Sequence, residues 1–245
     1  MGDPVIRQRL ALPVRWSSNP IYRSLTDELP VEYRSPEGST TRRRSVVVIF
    51  GVIGASVLAW GLRAQPGSAR FYLGTTALAA VWVAGGALAG PLHLGWQWRQ
   101  GQLRRPIIAP VIVGVALAAV FAAGALVVRH IGLLADRVES LLAYARHGSW
   151  PAVLSLTVVN GIAEEVFFRG AVQPALAPRV RLPATIVIYA AVTMATGNVM
   201  LGLASILLGA VVGLQRRATD GVLAPLLTHV TWSASMLVIL PLVFR

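Results

Sequence analysis

The chain has 245 residues, of which 55% are hydrophobic and only 13% charged, and its mean hydropathy is +0.65; soluble domains carry about a quarter charged residues, so a soluble globular fold is excluded. All 22 basic residues are arginines, set against ten carboxylates for a formal charge of +12. They flank apolar runs instead of lining an amphipathic face, which excludes a nucleic-acid-binding module and assigns them to topology and anionic lipid headgroups. With no cysteine there is no disulfide, thiolate metal site or cysteine nucleophile.

In chain order, residues 1–44 are polar, with Pro4, Pro13, Pro20, Pro30 and Pro36 among charges, and read as an unstructured cytoplasmic tail. The tail ends in Arg42, Arg43 and Arg44, a positive flank for the first apolar run. That run starts too far in for a cleaved signal peptide. Candidate spans follow at 45–62, 71–90, 107–128, 152–172, 183–200, 201–214 and 222–243, long enough in most cases to cross a bilayer at about 20 residues each. The sixth is short, and a break at Gly197 and Gly202 could make it a continuation of the fifth. Residues 131–147, with Leu134, Val138, Leu141 and Leu142 at helical spacing opposite Asp136, Arg137 and Glu139, read as a helix lying on the membrane surface.

The fold class is therefore an all-α polytopic transmembrane bundle of about seven spans. Its organisation is a tail at 1–44, three helices plus an interfacial helix at 45–149, and a membrane core at 150–245. With the tail inside, the inner connectors hold ten arginines (42–44, 99, 104, 105, 179, 181, 216 and 217). The outer ones hold five, Arg63, Arg70, Arg129, Arg137 and Arg146. The positive-inside rule then puts the N-terminus in the cytoplasm. Gly86-x-x-x-Gly90 and Ser205-x-x-x-Gly209-x-x-x-Gly213 permit close helix packing, and the second pattern predicts a central sixth helix.

Eight of the ten carboxylates lie in the tail or loops; Glu164 and Glu165 lie together inside the fourth span. An acidic residue near the bilayer centre costs about 2.5–3.5 kcal/mol, so two in succession call for a function or a polar packing knot. Glu165 and Arg169, four apart, share a helix face and suit an ion pair. Glu164 points about 100° away without such a partner, which suits a general base or acid. His229 is the only one of four histidines inside a span, with Ser233 one turn further on. Glu164 lies about 15 Å and His229 about 11 Å from the cytoplasmic ends of their helices, so the two are expected to meet in a pocket open to the cytoplasm.

Glu164-Glu165-x-x-x-Arg169 with Phe167-Phe168-Arg169-Gly170, and His229 preceded by Gly221-Val-Leu-Ala-Pro225-Leu-Leu-Thr228, resemble the CPBP intramembrane protease family over residues 150–245. That family includes the CAAX prenyl endopeptidases and bacteriocin-processing proteins. The resemblance implies an intramembrane endopeptidase cutting near the cytoplasmic face of a bacterial cytoplasmic membrane. Glu164 would activate a water, with Glu165, Arg169 and His229 beside it. Two elements depart from the pattern. The histidine of a Phe-x-x-x-His motif in the fifth span is replaced by Thr196 or Asn198, and the asparagine four residues after His229 is replaced by Ser233. Asn198 could orient a water and Ser233 donate one hydrogen bond, which makes both candidate site residues. Glu164, Arg169, Asn198 and His229 are expected to line one cavity.

One imidazole and two carboxylates are a poor set for a divalent metal such as zinc, so water activated by glutamate is favoured and no cofactor is assigned. The partners implied are membrane lipid and a peptide or membrane-protein substrate, not nucleic acid. A catalytically degenerate scaffold, regulator or immunity protein remains open, as does a transporter or lipid-handling protein, although no repeat symmetry supports the last.

Overall fold

The computed structural model describes residues 19–29, 40–99 and 102–245. Within the segment read as a tail, α1 (Pro20–Thr26) is a short helix capped by the Asn19 side chain, with Ser24 and Leu29 buried; residues 1–18 and 30–39 lie outside the described residues. Six described helices are long and apolar enough to cross a membrane. They are α2 (Thr41–Gly61), α3 (Ala69–Ala89), α4 (Ile108–Val128), α6 (Trp150–Ala175), α8 (Val199–Thr219) and α9 (Leu223–Val243). Two others complete the bundle: α5 (Gly132–His147) and the shorter apolar α7 (Arg181–Met194). Side chains such as Val48, Val52, Leu73, Val120 and Leu207 are exposed, as expected of helices solvated by lipid, where only the backbone must be satisfied internally.

Two helix boundaries differ from the sequence reading in a way that matters. α2 starts at Thr41, so the arginines following it occupy its first turn. There Arg42 donates to the Leu88 carbonyl (3.0 Å) and Arg43 Nε to the Ala89 carbonyl (3.2 Å), capping the last carbonyls of α3. The fifth span is not 183–200: α7 stops at Met194, Gly197 turns the chain at φ 76°, and Asn198 caps α8. The sixth span, expected to be short, is a full 21-residue helix. It is the most deeply buried of the six, as its small-residue stripe predicts.

The connector between α3 and α4 carries a small antiparallel hairpin, β1 (Gln97–Arg99) with β2 (Gln102–Arg104). Its approach segment is hydrogen bonded to the α8–α9 turn: Trp96 N–H donates to Thr219 O, Val222 N–H to His93 O and Leu223 N–H to Leu94 O. The ends of α3, α8 and α9 are thereby joined on the side that carries most of the arginines, called here the arginine-rich end. At the opposite end α5 lies across the bundle. It buries Ala135, Val138 and Leu142 against Ala125 and Phe244, and donates from the Tyr144 hydroxyl to the carbonyls of Leu62 (2.7 Å) and Ala64 (2.9 Å).

The main core packs α3 against α6 and α7. Trp82 stacks on Phe167 with ring centroids 4.6 Å apart, Phe168 meets both Trp82 and Tyr189 edgewise or tilted, and Leu78, Ala163, Ala171 and Val172 fill the space between. Aromatic pairs of this kind contribute about 0.5–1.5 kcal/mol beyond their buried area. This cluster fixes the rotation of α6, and with it the directions of Glu164 and Glu165.

Candidate active site

α6 is regular from Trp150 to Phe167, widens into a π turn over Phe168–Val172, and resumes for one turn at Gln173–Ala175. Pro174 explains the widening: it cannot donate to the ladder and its ring crowds the carbonyl four residues back. The loosened backbone is satisfied from outside, since Arg216 Nε donates to the Arg169 carbonyl at 3.0 Å. Such turns recur at functional sites.

On the buried face of α6, Arg169 Nη1 donates to Glu165 Oε1 at 3.0 Å, with both side chains fully buried. The same oxygen meets His229 Nδ1 of α9 at 2.7 Å. Arg169 Nη2 also reaches the Gly209 carbonyl at 3.4 Å, and its guanidinium lies 4.8 Å from the Tyr189 ring centroid. Glycine at 209 leaves room for this approach: a Cβ there would stand 3.3 Å from the Tyr189 ring, a tight contact, and 3.5 Å from Arg169 Nη2, an ordinary one. The small-residue stripe of α8 is therefore part of the site as well as a packing device. Three helices, α6, α8 and α9, meet at one buried polar knot, in which Glu165 Oε2 and Arg169 Nε have no hydrogen-bond partner.

Glu164 turns away from that knot, as the helical geometry requires. Its Oε2 accepts from the Tyr189 hydroxyl of α7 at 2.5 Å, and the carboxylate lines a cavity of about 270 Å³. Asn160, one turn earlier on the same face, lines it too. The Asn160 amide donates to the Leu156 carbonyl at 2.9 Å while its buried Oδ1 has no hydrogen-bond partner. Such an acceptor suits a peptide N–H or a water. The remaining walls are mostly apolar and come from the ends of α2 and α3 near Gly61 and Phe71, from Tyr144 of α5, and from the first half of α6.

The cavity therefore extends from Glu164 toward the arginine-poor end, beneath α5. It does not open toward the arginine-rich end as expected, because the Trp82–Phe167–Phe168 cluster fills that side. Tertiary packing of bulky aromatics, not helix depth, decides which side of the carboxylate is open.

The remaining sequence candidates are placed differently. Asn198 is not on the cavity with Glu164: its Oδ1 caps α8 by accepting from Met200 N–H (3.0 Å) and Leu201 N–H (3.4 Å), and its Nδ2 donates to the Arg137 carbonyl of α5 (2.8 Å). Thr196 lies beside it in the α7–α8 turn, where its hydroxyl accepts from Asn198 N–H. Ser233 donates to the carbonyls of His229 (2.9 Å) and Val230 (3.3 Å) within its own helix. On α7 the residues packed toward α6 are Tyr189, Ile188 and Val192, while the Thr193 hydroxyl donates to the Tyr189 carbonyl of its own helix at 2.9 Å.

The donors do not suit a catalytic metal. Among the described residues no group of three His, Cys, Asp or Glu side chains is placed to hold one. Glu165 and His229 are committed to each other and to Arg169, whereas a catalytic zinc site presents three protein ligands and an open position.

Residues 146–235 match the family model described as Type II CAAX prenyl endopeptidase Rce1-like. The match covers 90 of the chain's 245 residues. It runs from the end of α5 into α9 and contains every member of the Glu165–Arg169–His229 knot together with Glu164 and Tyr189. No curated protein and no solved structure matches the chain. The match is to CAAX-type membrane proteases, and with six apolar helices among the described residues the chain is a multi-pass membrane protein.

Proposed function

We propose that the chain is an endopeptidase in which Glu164 activates water against a peptide bond admitted through the cavity beneath α5. The observation that carries this reading is the division of labour between adjacent carboxylates. Glu165 is neutralised by Arg169 and His229, while Glu164 meets one phenol and open space. Glu164 takes a proton from water as the oxygen attacks the carbonyl carbon, and returns it to the leaving amine as the C–N bond breaks. Tyr189 orients the carboxylate. Asn160 holds the water or the substrate N–H through Oδ1, and its second amide proton is available to the oxyanion.

Under the positive-inside assignment the cavity faces the side opposite the cytoplasm. Cleavage near the cytoplasmic face would then require substrate to thread past the aromatic cluster, so substrate enters from the arginine-poor side. A bacterial cytoplasmic membrane remains the setting implied by the family resemblance.

The test compares membrane peptides from cells expressing the wild type and Glu164→Gln at matched levels. Loss of a general base lowers a rate by about 10²–10⁴, so specific fragments should vanish in the variant. Identical peptides from the two, with Glu164→Gln folded and inserted, would refute the enzyme. That outcome would favour the scaffold reading, which the structural duties of Asn198 and Ser233 support.

A further inference from the structure

At the arginine-poor end the cavity that holds Glu164 adjoins a smaller one of about 130 Å³, and Leu62, Leu141, Tyr144 and Leu201 line both. Arg137, Ser140, Leu141 and Tyr144 follow one another on α5 at helical spacing, so one face of that helix overlies the junction. The Tyr144 hydroxyl, bonded to the carbonyls of Leu62 and Ala64, pins this face in place. Among the described residues lining the two cavities, Arg137 is the only cation and Glu164 the only carboxylate. Asp136 and Glu139, also on α5, line neither.

The Arg137 side chain is exposed, and its guanidinium makes no hydrogen bond or ion pair with the described residues. In the α7–α8 turn the half-buried Thr196 hydroxyl lines the same small cavity. It accepts from Asn198 N–H at 3.1 Å, while its own proton goes to no described acceptor. A guanidinium and a hydroxyl donor, both accessible and both open, are the groups that receive a carboxylate. The mostly apolar walls between them and Glu164 suit the intervening peptide.

We infer that Arg137 and Thr196 form an anion subsite that selects substrates carrying a carboxylate on the arginine-poor side of the scissile bond, a role that rests on Glu164 being the base. An aspartate or glutamate side chain and a C-terminal carboxylate supply the same chemistry. Arg137 sets specificity and takes no part in breaking the C–N bond.

The experiment extends the membrane-peptide comparison to cells expressing Arg137→Gln, Arg137→Glu, Thr196→Val and Arg129→Glu, and reads the fragments that depend on Glu164. An exposed charge pair is worth up to about fivefold. Arg137→Gln should therefore lower the yield of these fragments by about fivefold, and Arg137→Glu, which adds an equal repulsion, by about 25-fold. Thr196→Val removes one hydrogen bond and should also cost about fivefold. With Arg137→Glu, new fragments should appear whose parent proteins carry a basic residue where the wild type selects an acidic one, which a purely structural role for Arg137 would not produce. Arg129→Glu, on a residue outside both cavities, should change nothing. Acidic side chains at a fixed distance from the cut would assign that source, and cuts at a fixed distance from the parents' C-termini would assign the terminal carboxylate; both support the subsite. Fragments unchanged by Arg137→Glu, or lost equally with Arg129→Glu, would overturn the subsite and leave Glu164 as the base. No fragments dependent on Glu164 would overturn both.

Discussion

Replacing Arg169 with Met is the sharpest structural test, because it removes one partner of a fully buried pair. Glu165 would keep only His229, at 2.7 Å, to compensate a carboxylate with no exposure. Breaking a buried pair on one side costs about 3–5 kcal/mol, or roughly 6–20 °C in melting temperature for a chain of this size. Glu165→Gln should be comparably harmful, since it strands the guanidinium against the Tyr189 ring and the Gly209 carbonyl. The double variant removes both charges and should be less damaged than the sum of the singles by about 2–3 kcal/mol. Thermal unfolding of the four proteins in one detergent, followed by tryptophan fluorescence, measures the cycle. Additive losses would show that the 3.0 Å contact does not couple the two charges and would sink the account of the knot.

Tyr189→Phe keeps the ring against Phe168 and Arg169 and deletes only the hydrogen bond to Glu164. A bond to a charged group is worth about 1.5–3 kcal/mol, so cleavage of the fragments defined by Glu164→Gln should slow by roughly 10- to 150-fold, and an unchanged rate would remove Tyr189 from the site. Asn198→Ala should cost about 0.5–2 kcal/mol through the lost cap of α8 with peptidase activity intact; a stable but inactive protein would restore Asn198 to the chemistry. Burial pushes the Tyr144 phenol above its ordinary range. Its contribution to stability should therefore be complete below about pH 10 and lost as pH rises through the native value. Tyr144→Phe, measured against the wild type across that interval, should flatten the alkaline loss.

Much of the fold was legible because lipid simplifies the code: apolar length and flanking arginines located the helices to within a few residues. The Glu165–Arg169 pair followed from a spacing of four, and the separate direction of Glu164 from 100° per residue. The α7–α8 boundary was not legible, since Met194 to Met200 contains no charge and the break rests on Gly197 at φ 76°. Asn198 looked chemical because polar residues inside a span usually are. An asparagine just before a helical run is also a helix start, and the ladder of α8 claimed it. Tyr189 was passed over because a phenol in an apolar run reads as core, and only its 2.5 Å contact with Glu164 separates the two meanings. Which side of Glu164 is open depended on how Trp82 packs on Phe167, a contact between residues 85 positions apart that no local pattern encodes.

The π turn of α6 also sets the phase of everything after it. One residue is accommodated there without advancing the helical ladder, so Arg169 can face Glu165 while Gln173 faces α8 and Pro174 is tolerated. Closing this turn to ordinary α pitch with every residue retained would rotate the segment beyond by about 100°. That would draw Gln173 off the Gly213 carbonyl and leave the Arg169 carbonyl misplaced for Arg216. A change of pitch at this point would therefore separate the carboxylates from the arginine-rich end, although every side chain of the knot itself would still be present.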